Sequence, residues 1–219
     1  MLVRFRSGRV NMTKKINLGV LISGNGTNLQ AIIDASEAGS LDAVVKCVIS
    51  NKVSAFGLER ARKHGIEAIH LDHKQFENRE AYDAKVVEIL KERNIDLVIL
   101  AGFMRIVTPV LLEAFKNRVM NIHPALLPAF PGLDAQKQAL EYGAKVAGCT
   151  IHFVDAGTDT GPIILQKTVP ILENDTEETL SERIHKEEHK SYPEAIQLFA
   201  KGRLSVEGRR VRVLPEADK

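Results

Sequence analysis

Apolar runs and helical patterns alternate along the first part of the chain. Ile16 to Ile22 is a mostly apolar run, a glycine turn follows it, and Leu29, Ile32 and Ile33 then recur at helical spacing. The same pattern predicts further strands at 43–49, 67–71, 96–101 and 118–122, and further helices at 56–64, from 78 and from 108. Alternating units of this kind predict an α/β fold, a Rossmann-like open sheet that is twisted and mostly parallel, with helices on both faces.

The second half of the chain has a different pattern. Pro124, Pro128 and Pro131 fall within eight positions, and they predict a stiff, extended loop. Val146 to Val154 and Pro162 to Val169 are strand-like runs that only seven residues join. Because such a connection is too short for a helical crossover, these runs predict an antiparallel strand pair in the C-terminal half.

Two helices complete the predicted order. We expect Asp134 to cap one helix, which Gly143 closes. We expect Thr176 to cap a long helix that stops near Gly202, with Pro193 kinking or dividing it.

Basic residues are concentrated at the two ends of the chain. Residues 1–16 carry five basic groups and no acid, 201–219 carry six basic and three acidic groups, and the segment between them carries 19 basic and 25 acidic groups. We expect a disordered basic extension over 1–16, a single domain over 17–202, and a tail over 203–219 that adds a short strand and then frays.

The composition is that of an ordinary globular protein, with 44% apolar and 26% charged residues. No apolar stretch reaches the roughly 18 residues of a membrane span, and the N-terminus lacks the apolar segment of a secretory signal. The absence of tryptophan and an aromatic content of 5% disfavour a nucleic-acid partner. Cys47 and Cys149 lie in apolar, strand-like runs outside any metal-ligand spacing, which predicts buried thiols in a reducing cytoplasm.

The first candidate site is the stretch Gly24-Asn25-Gly26-Thr27-Asn28 after the first strand. Glycines let the backbone approach an anion closely, and the N-terminus of the following helix offers free N–H groups, which together suit a phosphate monoester. The stretch lacks the third glycine of a dinucleotide fingerprint and the Lys-Ser/Thr of a P-loop. An ordinary glycine turn between a strand and a helix would look similar.

The second candidate site is Asn121 with His123. Two residues apart on a strand, they project to the same face at its carboxyl end, the edge at which open α/β sheets bind ligands. An amide and an imidazole side by side can donate hydrogen bonds to a developing oxyanion, and we predict no metal here. The alternative is a histidine that ends a strand and bonds a nearby carbonyl.

The third candidate site is the loop from Asp155 to Gly161, which holds Asp155 and Asp159 between glycines. Two aspartates in a hairpin loop could be ordinary turn formers. The loop should also emerge beside the end of the fifth strand, where a carboxylate near His123 would favour the protonated imidazolium. A histidine in that state could act as a general acid.

Five separated motifs resemble one known family, phosphoribosylglycinamide formyltransferase, the folate-dependent enzyme of purine biosynthesis. The motifs are Val20 to Ile32, Phe76 to Tyr82, Leu100 to Ile106, Asn121 to Pro128 and Asp159 to Pro162. They occur in the family's order, and the resemblance runs from about Asn17 to Leu204.

The resemblance implies transfer of a formyl group from 10-formyltetrahydrofolate, the co-substrate, to the amino group of glycinamide ribonucleotide, without a metal. It implies that Asn121, His123 and Asp159 form a catalytic trio. Further positions match the family's phosphate-binding and cleft residues. The phosphate-binding residues are Gly26, Thr27 and Asn28, and the residues of the folate and substrate cleft are Arg79, Met104, Arg105, Ile106, Val107, Val154, Asp155 and Glu188.

The resemblance also leaves alternatives. Formyltetrahydrofolate hydrolases and enzymes that formylate initiator methionyl-tRNA use the same trio, but they carry an additional N-terminal or C-terminal domain, for which we expect no room here. A non-catalytic phosphate-ligand-binding module is a further alternative. Asp134 stands where many family members have histidine, and we expect only a local effect. We expect small-molecule substrates, no membrane or nucleic-acid partner, and a monomer or homodimer.

Overall fold

A computed structural model describes residues 15–216 of the chain. These residues form one sheet of nine strands in the order β3-β2-β1-β4-β5-β6-β7-β9-β8. The strands are β1 (Ile16–Ile22), β2 (Ala43–Ser50), β3 (Glu67–His70), β4 (Leu97–Leu100), β5 (Val119–His123), β6 (Val146–Phe153), β7 (Ile163–Pro170), β8 (Leu204–Glu207) and β9 (Arg210–Val213).

The first five strands pair in parallel, and β6 pairs antiparallel with both β5 and β7. The predicted fold class, including the antiparallel pair, is confirmed. The chain order reverses between β1 and β4, which are neighbours in the sheet although β2 and β3 lie between them in sequence. In open α/β sheets, the crevice at such a reversal is where ligands bind.

Helices cover both faces of the sheet. They are α1 (Thr27–Glu37), α2 (Phe56–Lys63), α3 (Arg79–Glu92), α4 (Pro109–Ala114), α5 (Ala135–Tyr142) and α6 (Glu177–Ala200), with one 3-10 turn at His73–Gln75. One core joins α1, α2 and α6 to the sheet, and a second core joins α3 and α4 to its other face. Successive side chains of β1 point to opposite faces of the sheet and so contribute to both cores. Leu18, Val20 and Ile22 face the first core, and Leu21 faces the second.

Two details of the predicted helices differ in the structure, namely a division at Pro193 and a capping bond from Asp134. Pro193 does not divide the last helix, because α6 continues from Glu177 to Ala200 with the proline inside it. Asp134 occupies the N-cap position of α5, but its backbone is left-handed at φ 55° and its side chain makes no capping hydrogen bond. The conformation that would aim a capping side chain into the first turn is extended, so the predicted cap bond is absent.

The C-terminal segment 203–219, expected to add one short strand, contains the β8–β9 hairpin. This hairpin joins the sheet through β9, which pairs with β7 at Ile163 and Arg210. The predicted N-terminal extension 1–16 lies outside the described residues except for its last two, and Ile16 already belongs to β1.

Both cysteines are buried and free, as predicted. Burial raises the pKa of the Cys47 thiol to about 11 and that of the Cys149 thiol to about 12. None of the helices within 15–216 is long and apolar enough to cross a membrane.

Candidate active site

The imidazole of His123 lies between two acceptors at the carboxyl end of β5. Its Nδ1 is 3.3 Å from Oδ2 of Asp159, and its Nε2 is 2.8 Å from the backbone oxygen of Phe130. The residue is only 4% exposed. Because both ring nitrogens face acceptors, the arrangement can satisfy an imidazolium, in which both nitrogens are donors.

Asn121 contacts a second histidine rather than His123 itself. Its Nδ2 is 3.2 Å from Nε2 of His152, which lies directly opposite on β6. Nδ1 of His152 is 2.9 Å from the backbone oxygen of Phe153, and burial lowers the pKa of this histidine. The network therefore assigns a neutral His152 that donates from Nδ1 to Phe153 and accepts from Asn121 at Nε2.

Asp159 joins the two histidines. Its Oδ1 is 3.8 Å from Nε2 of His152, while Oδ2 faces His123 and accepts a hydrogen bond from the amide of Gly132 at 2.8 Å. Its backbone is left-handed at φ 54°, a conformation that aspartate tolerates better than most residues. The structure thus brings Asn121, His123 and Asp159 into one cluster, with His152 between the amide and the carboxylate.

The proline-rich loop that supplies the Phe130 carbonyl is fastened to β6. Oγ1 of Thr150 donates to the oxygen of Ala125 at 2.7 Å and accepts from the amide of Leu127 at 3.0 Å. Nε2 of Gln166 donates to the oxygen of Leu127 at 2.9 Å. Thr150 lies on β6 and Gln166 on β7, so these bonds hold the loop against both strands and fix the position of the carbonyl that faces His123.

The glycine loop forms the start of α1, as expected for an anion site. Gly26 is the N-cap residue, with φ 73°, and no side chain caps the helix, so its first N–H groups point into the turn. A β-carbon on Gly26 would lie 2.9 Å from Cα of Gly57, the close approach that requires glycine here. Thr27 and Asn28, the other two predicted phosphate ligands, are half-buried at the same helix end.

Glu188 reaches this helix end from α6. Its Oε2 accepts a hydrogen bond from Nδ2 of Asn28 at 2.9 Å, and the residue is only 3% exposed. Burial raises the pKa of the Glu188 carboxyl, and the bond from Asn28 partly offsets this effect. Glu188 also interacts electrostatically with His123, which brings the glycine loop and the trio into one region.

The predicted cleft residues after β4 lie beside the glycine loop. The amide of Met104 donates to Oγ of Ser23 at 2.9 Å, and Ser23 precedes the loop directly. Met104 and Ile106 are 65% and 60% exposed, whereas Val107 is buried. The guanidinium of Arg105 lies 5.0 Å from the centre of the Tyr82 ring.

The remaining predicted residues lie at the margins of this region. Val154 bonds its amide to the oxygen of Val119 on β5, and Asp155 accepts bonds from Gly157 and Thr160 within its own loop. Arg79 is exposed at the first position of α3, and no hydrogen bond or ion pair within 15–216 joins it to the trio. In the same residues, no group of three or more His, Cys, Asp or Glu side chains is arranged to hold a metal ion.

Three contributors to the site were missing from the sequence prediction. They are His152, the carbonyl of Phe130, and the pair Ser23 and Asn51, whose side chains bond at 2.6 Å. The pairing of Asn121 with His152 depends on the antiparallel register of β5 and β6, which no local sequence pattern specifies. The contribution of Phe130 could not be predicted, because it comes from the backbone carbonyl, which every residue type has.

A comparison with family models matches residues 16–196 to the formyl transferase family. The chain belongs to this family. This chain is 47% identical over 191 residues to the phosphoribosylglycinamide formyltransferase of Escherichia coli (strain K12). The match covers 87% of this chain and 90% of that protein. The solved structure of glycinamide ribonucleotide transformylase 1 from Symbiobacterium toebii is similar at a TM-score of 0.91 and 59% identity, covering 92% of this chain and 95% of that one.

A longer relative contains a similar segment. The trifunctional purine biosynthetic protein adenosine-3 of Drosophila melanogaster is 48% identical to this chain over 199 residues. The match covers 90% of this chain but only 15% of that protein, so the chain spans a small part of its length.

Proposed function

We propose that this formyl transferase moves the formyl group of 10-formyltetrahydrofolate to the amino group of glycinamide ribonucleotide, in purine biosynthesis. The observation that carries the proposal is the cluster of Asn121, His123 and Asp159 at the carboxyl end of β5, beside the glycine loop of α1. Relatives at 47% and 59% identity bear the names of this activity.

The glycine loop holds the substrate phosphate in this proposal. The open N–H groups at the start of α1, with Gly26, Thr27 and Asn28, suit a phosphate monoester. Glu188, hydrogen-bonded to Asn28, accepts a hydrogen bond from the glycinamide amine. The amine then lies between the phosphate site and His123, with which Glu188 interacts.

The folate lies on the other side of the trio. Backbone groups around Arg105 and Val107 hold the pterin, Met104 and Ile106 supply apolar contacts, and Arg79 lies farther along the same cleft. The loop that includes Asp155 and follows Val154 contributes the opposite wall. Both walls adjoin β5, which carries Asn121 and His123 of the trio.

The reaction is a direct attack by an unprotonated amine. The amine nitrogen bonds to the formyl carbon, and the formyl oxygen becomes an oxyanion that the imidazolium of His123 and one N–H of Asn121 stabilise. An amide carries two N–H groups, so the bond to His152 leaves the other for this oxygen. Nε2 of His123 exchanges the Phe130 carbonyl for the oxyanion in this step.

Collapse of the intermediate completes the transfer. The bond between the formyl carbon and N10 of the folate breaks, and the proton lost by the attacking amine reaches N10 through a water that Asp159 orders. Asp159 also stabilises the charge on His123 at 3.3 Å. The products are formylglycinamide ribonucleotide and tetrahydrofolate.

The alternatives differ in the acceptor. A formyltetrahydrofolate hydrolase would pass the formyl group to water, and the tRNA-formylating enzymes would pass it to an aminoacyl ester. The names of the relatives at 47% and 59% identity do not favour either alternative. A non-catalytic binding module would need no cluster of amide, imidazole and carboxylate groups.

The proposal is tested by mixing the purified protein with 10-formyltetrahydrofolate, with and without glycinamide ribonucleotide. We expect tetrahydrofolate to be released only when the nucleotide is present. Release at the same rate without the nucleotide would show a hydrolase and contradict the proposal. His123→Ala is the matched variant, and we expect it to lose turnover while keeping its affinity for the nucleotide.

We also propose a cytoplasmic protein that acts as a monomer or homodimer. Its two free, buried cysteines suit a reducing compartment. Sedimentation equilibrium of the purified chain will distinguish the two oligomeric states, and a larger assembly would contradict the proposal.

A further inference from the structure

The segment between β4 and α4, residues 102–108, is held at both ends by buried side chains. Near its start, the amide of Met104 donates to Oγ of Ser23 at 2.9 Å. At its end, the amide of Thr108 donates to Oδ2 of Asp83 at 2.6 Å. Both acceptors come from outside the segment, Ser23 from the end of β1 and Asp83 from α3.

The bond that the amide of Thr108 donates to Asp83 involves the more costly group to bury, because its acceptor is a carboxylate. Asp83 is only 3% exposed, and burial raises the pKa of its carboxyl above the ordinary value. A buried carboxylate is costly unless hydrogen bonds compensate it. Thr108 is the N-cap residue of α4, so its own amide has no acceptor within that helix, and Asp83 supplies one.

Two residues between these bonds, Arg105 and Val107, also pack against the rest of the protein. The side chain of Val107 is buried, and the guanidinium of Arg105 lies over the ring of Tyr82, the neighbour of Asp83 on α3. Met104 and Ile106 consequently turn outward, and both are more than half exposed. The segment thus offers two apolar side chains and its backbone edge in a set position.

We propose that Asp83 is a positioning residue for the folate, acting through Thr108 on the segment 102–108. The inference rests on the proposed function, which gives this segment the role of holding the pterin. Asp83 lies behind the segment and does not touch the substrate. Its bond to Thr108 sets where the backbone around Arg105 and Val107 meets the folate.

The test compares three variants by titration calorimetry with tetrahydrofolate and, separately, with glycinamide ribonucleotide. Asp83→Ala removes the acceptor, and we expect the Kd for tetrahydrofolate to rise roughly tenfold, because a hydrogen bond to a charged group is lost and the segment shifts. Asp83→Asn keeps an acceptor oxygen, and we expect its Kd to stay within about threefold of the wild-type value. The Kd for the nucleotide should change less than about twofold in both variants.

Asp175→Ala is the matched control. Asp175 likewise accepts a bond from a backbone amide, that of Leu172 at 2.7 Å, just before a helix, and it also pairs with Arg183. Its loss should lower the melting temperature without a selective change in folate affinity. If Asp83→Ala does not fold, Asp83→Ser, whose hydroxyl falls short of Thr108, is measured in its place with the same expected result.

The outcomes separate this inference from the proposed function. Wild-type protein that binds no tetrahydrofolate would contradict the proposed function and the inference with it. Wild-type binding together with an unchanged Kd in Asp83→Ala, or with equal losses for both ligands, would overturn the inference alone. A selective loss in Asp83→Ala that Asp83→Asn rescues would support it.

Discussion

Replacing Asp159 with asparagine tests the electrostatic part of the proposed mechanism. The substitution removes the charge that faces Nδ1 of His123 at 3.3 Å and changes the side-chain volume little. The asparagine oxygen can still accept the hydrogen bond that the amide of Gly132 now gives to Asp159. The loop should therefore keep its conformation while the imidazolium loses its counter-charge.

The size of the effect follows from the distance. Two unit charges 3.3 Å apart attract by about 5 kcal/mol at an effective dielectric constant of about 20, and by about 1 kcal/mol at that of bulk water. The side chains of His123 and Asp159 are 6% and 13% exposed, so the true value lies between these bounds. Since about 1.4 kcal/mol is a factor of ten in rate, we expect kcat to fall by about 10²–10³.

The assay is the release of tetrahydrofolate at saturating concentrations of both substrates. Asp96→Asn is the control, because Asp96 is a partly buried aspartate that accepts a bond from the amide of Asn17 at the opposite, amino end of the sheet. We expect the control to keep wild-type kcat. An Asp159→Asn enzyme with kcat within a factor of about three of wild type would refute the counter-charge role, because that is less than the smallest bound above.

Three further predictions concern other parts of the site. Gly26→Val places a β-branched residue at positive φ and within 2.9 Å of Gly57, and calorimetry should show weaker binding of the nucleotide than of tetrahydrofolate. Tyr192→Phe removes a buried hydroxyl that lies 2.9–3.0 Å from backbone oxygens of β4 and β5, and urea unfolding should show a loss of about 1–2 kcal/mol, against under about 0.5 for the exposed Tyr142→Phe. Burial raises the pKa of Glu188, so the folded state binds its proton more tightly than the unfolded state does. The free energy of unfolding of the wild type therefore falls as the pH rises above the ordinary value of 4.5. Glu188→Gln should be more stable than wild type in urea at pH 7, and the difference should vanish below pH 4.5.

The order of elements could be predicted from the sequence because apolar periodicity reports which faces are buried. The β1 run and the helical spacing of Leu29, Ile32 and Ile33 led directly to the strand, glycine turn and helix of the structure. The C-terminal hairpin was underestimated because its strands are four residues long and rich in arginine. Short exposed strands carry little periodic signal.

From the sequence, the site could be predicted only where the side-chain type itself indicates a catalytic or binding role. An amide and an imidazole at a strand end predict a site at Asn121 and His123, and the loop with Asp155 and Asp159 predicts a carboxylate near it; only the family resemblance singles out Asp159 as the third member of the trio. The part played by His152 depends on the register of β5 and β6, which no local pattern specifies. The Phe130 carbonyl depends on backbone geometry at a φ of 52°, which residue type does not reveal for phenylalanine.

The proposed transfer is tested most directly by following the formyl group itself. A single turnover with 10-formyltetrahydrofolate carrying a ¹³C label in the formyl group, followed by mass spectrometry, would show where the label goes. We expect the label to appear on the amine of glycinamide ribonucleotide in step with release of tetrahydrofolate, and we expect His123→Ala to abolish this transfer. Label recovered as free formate, with the nucleotide unchanged in mass, would contradict it.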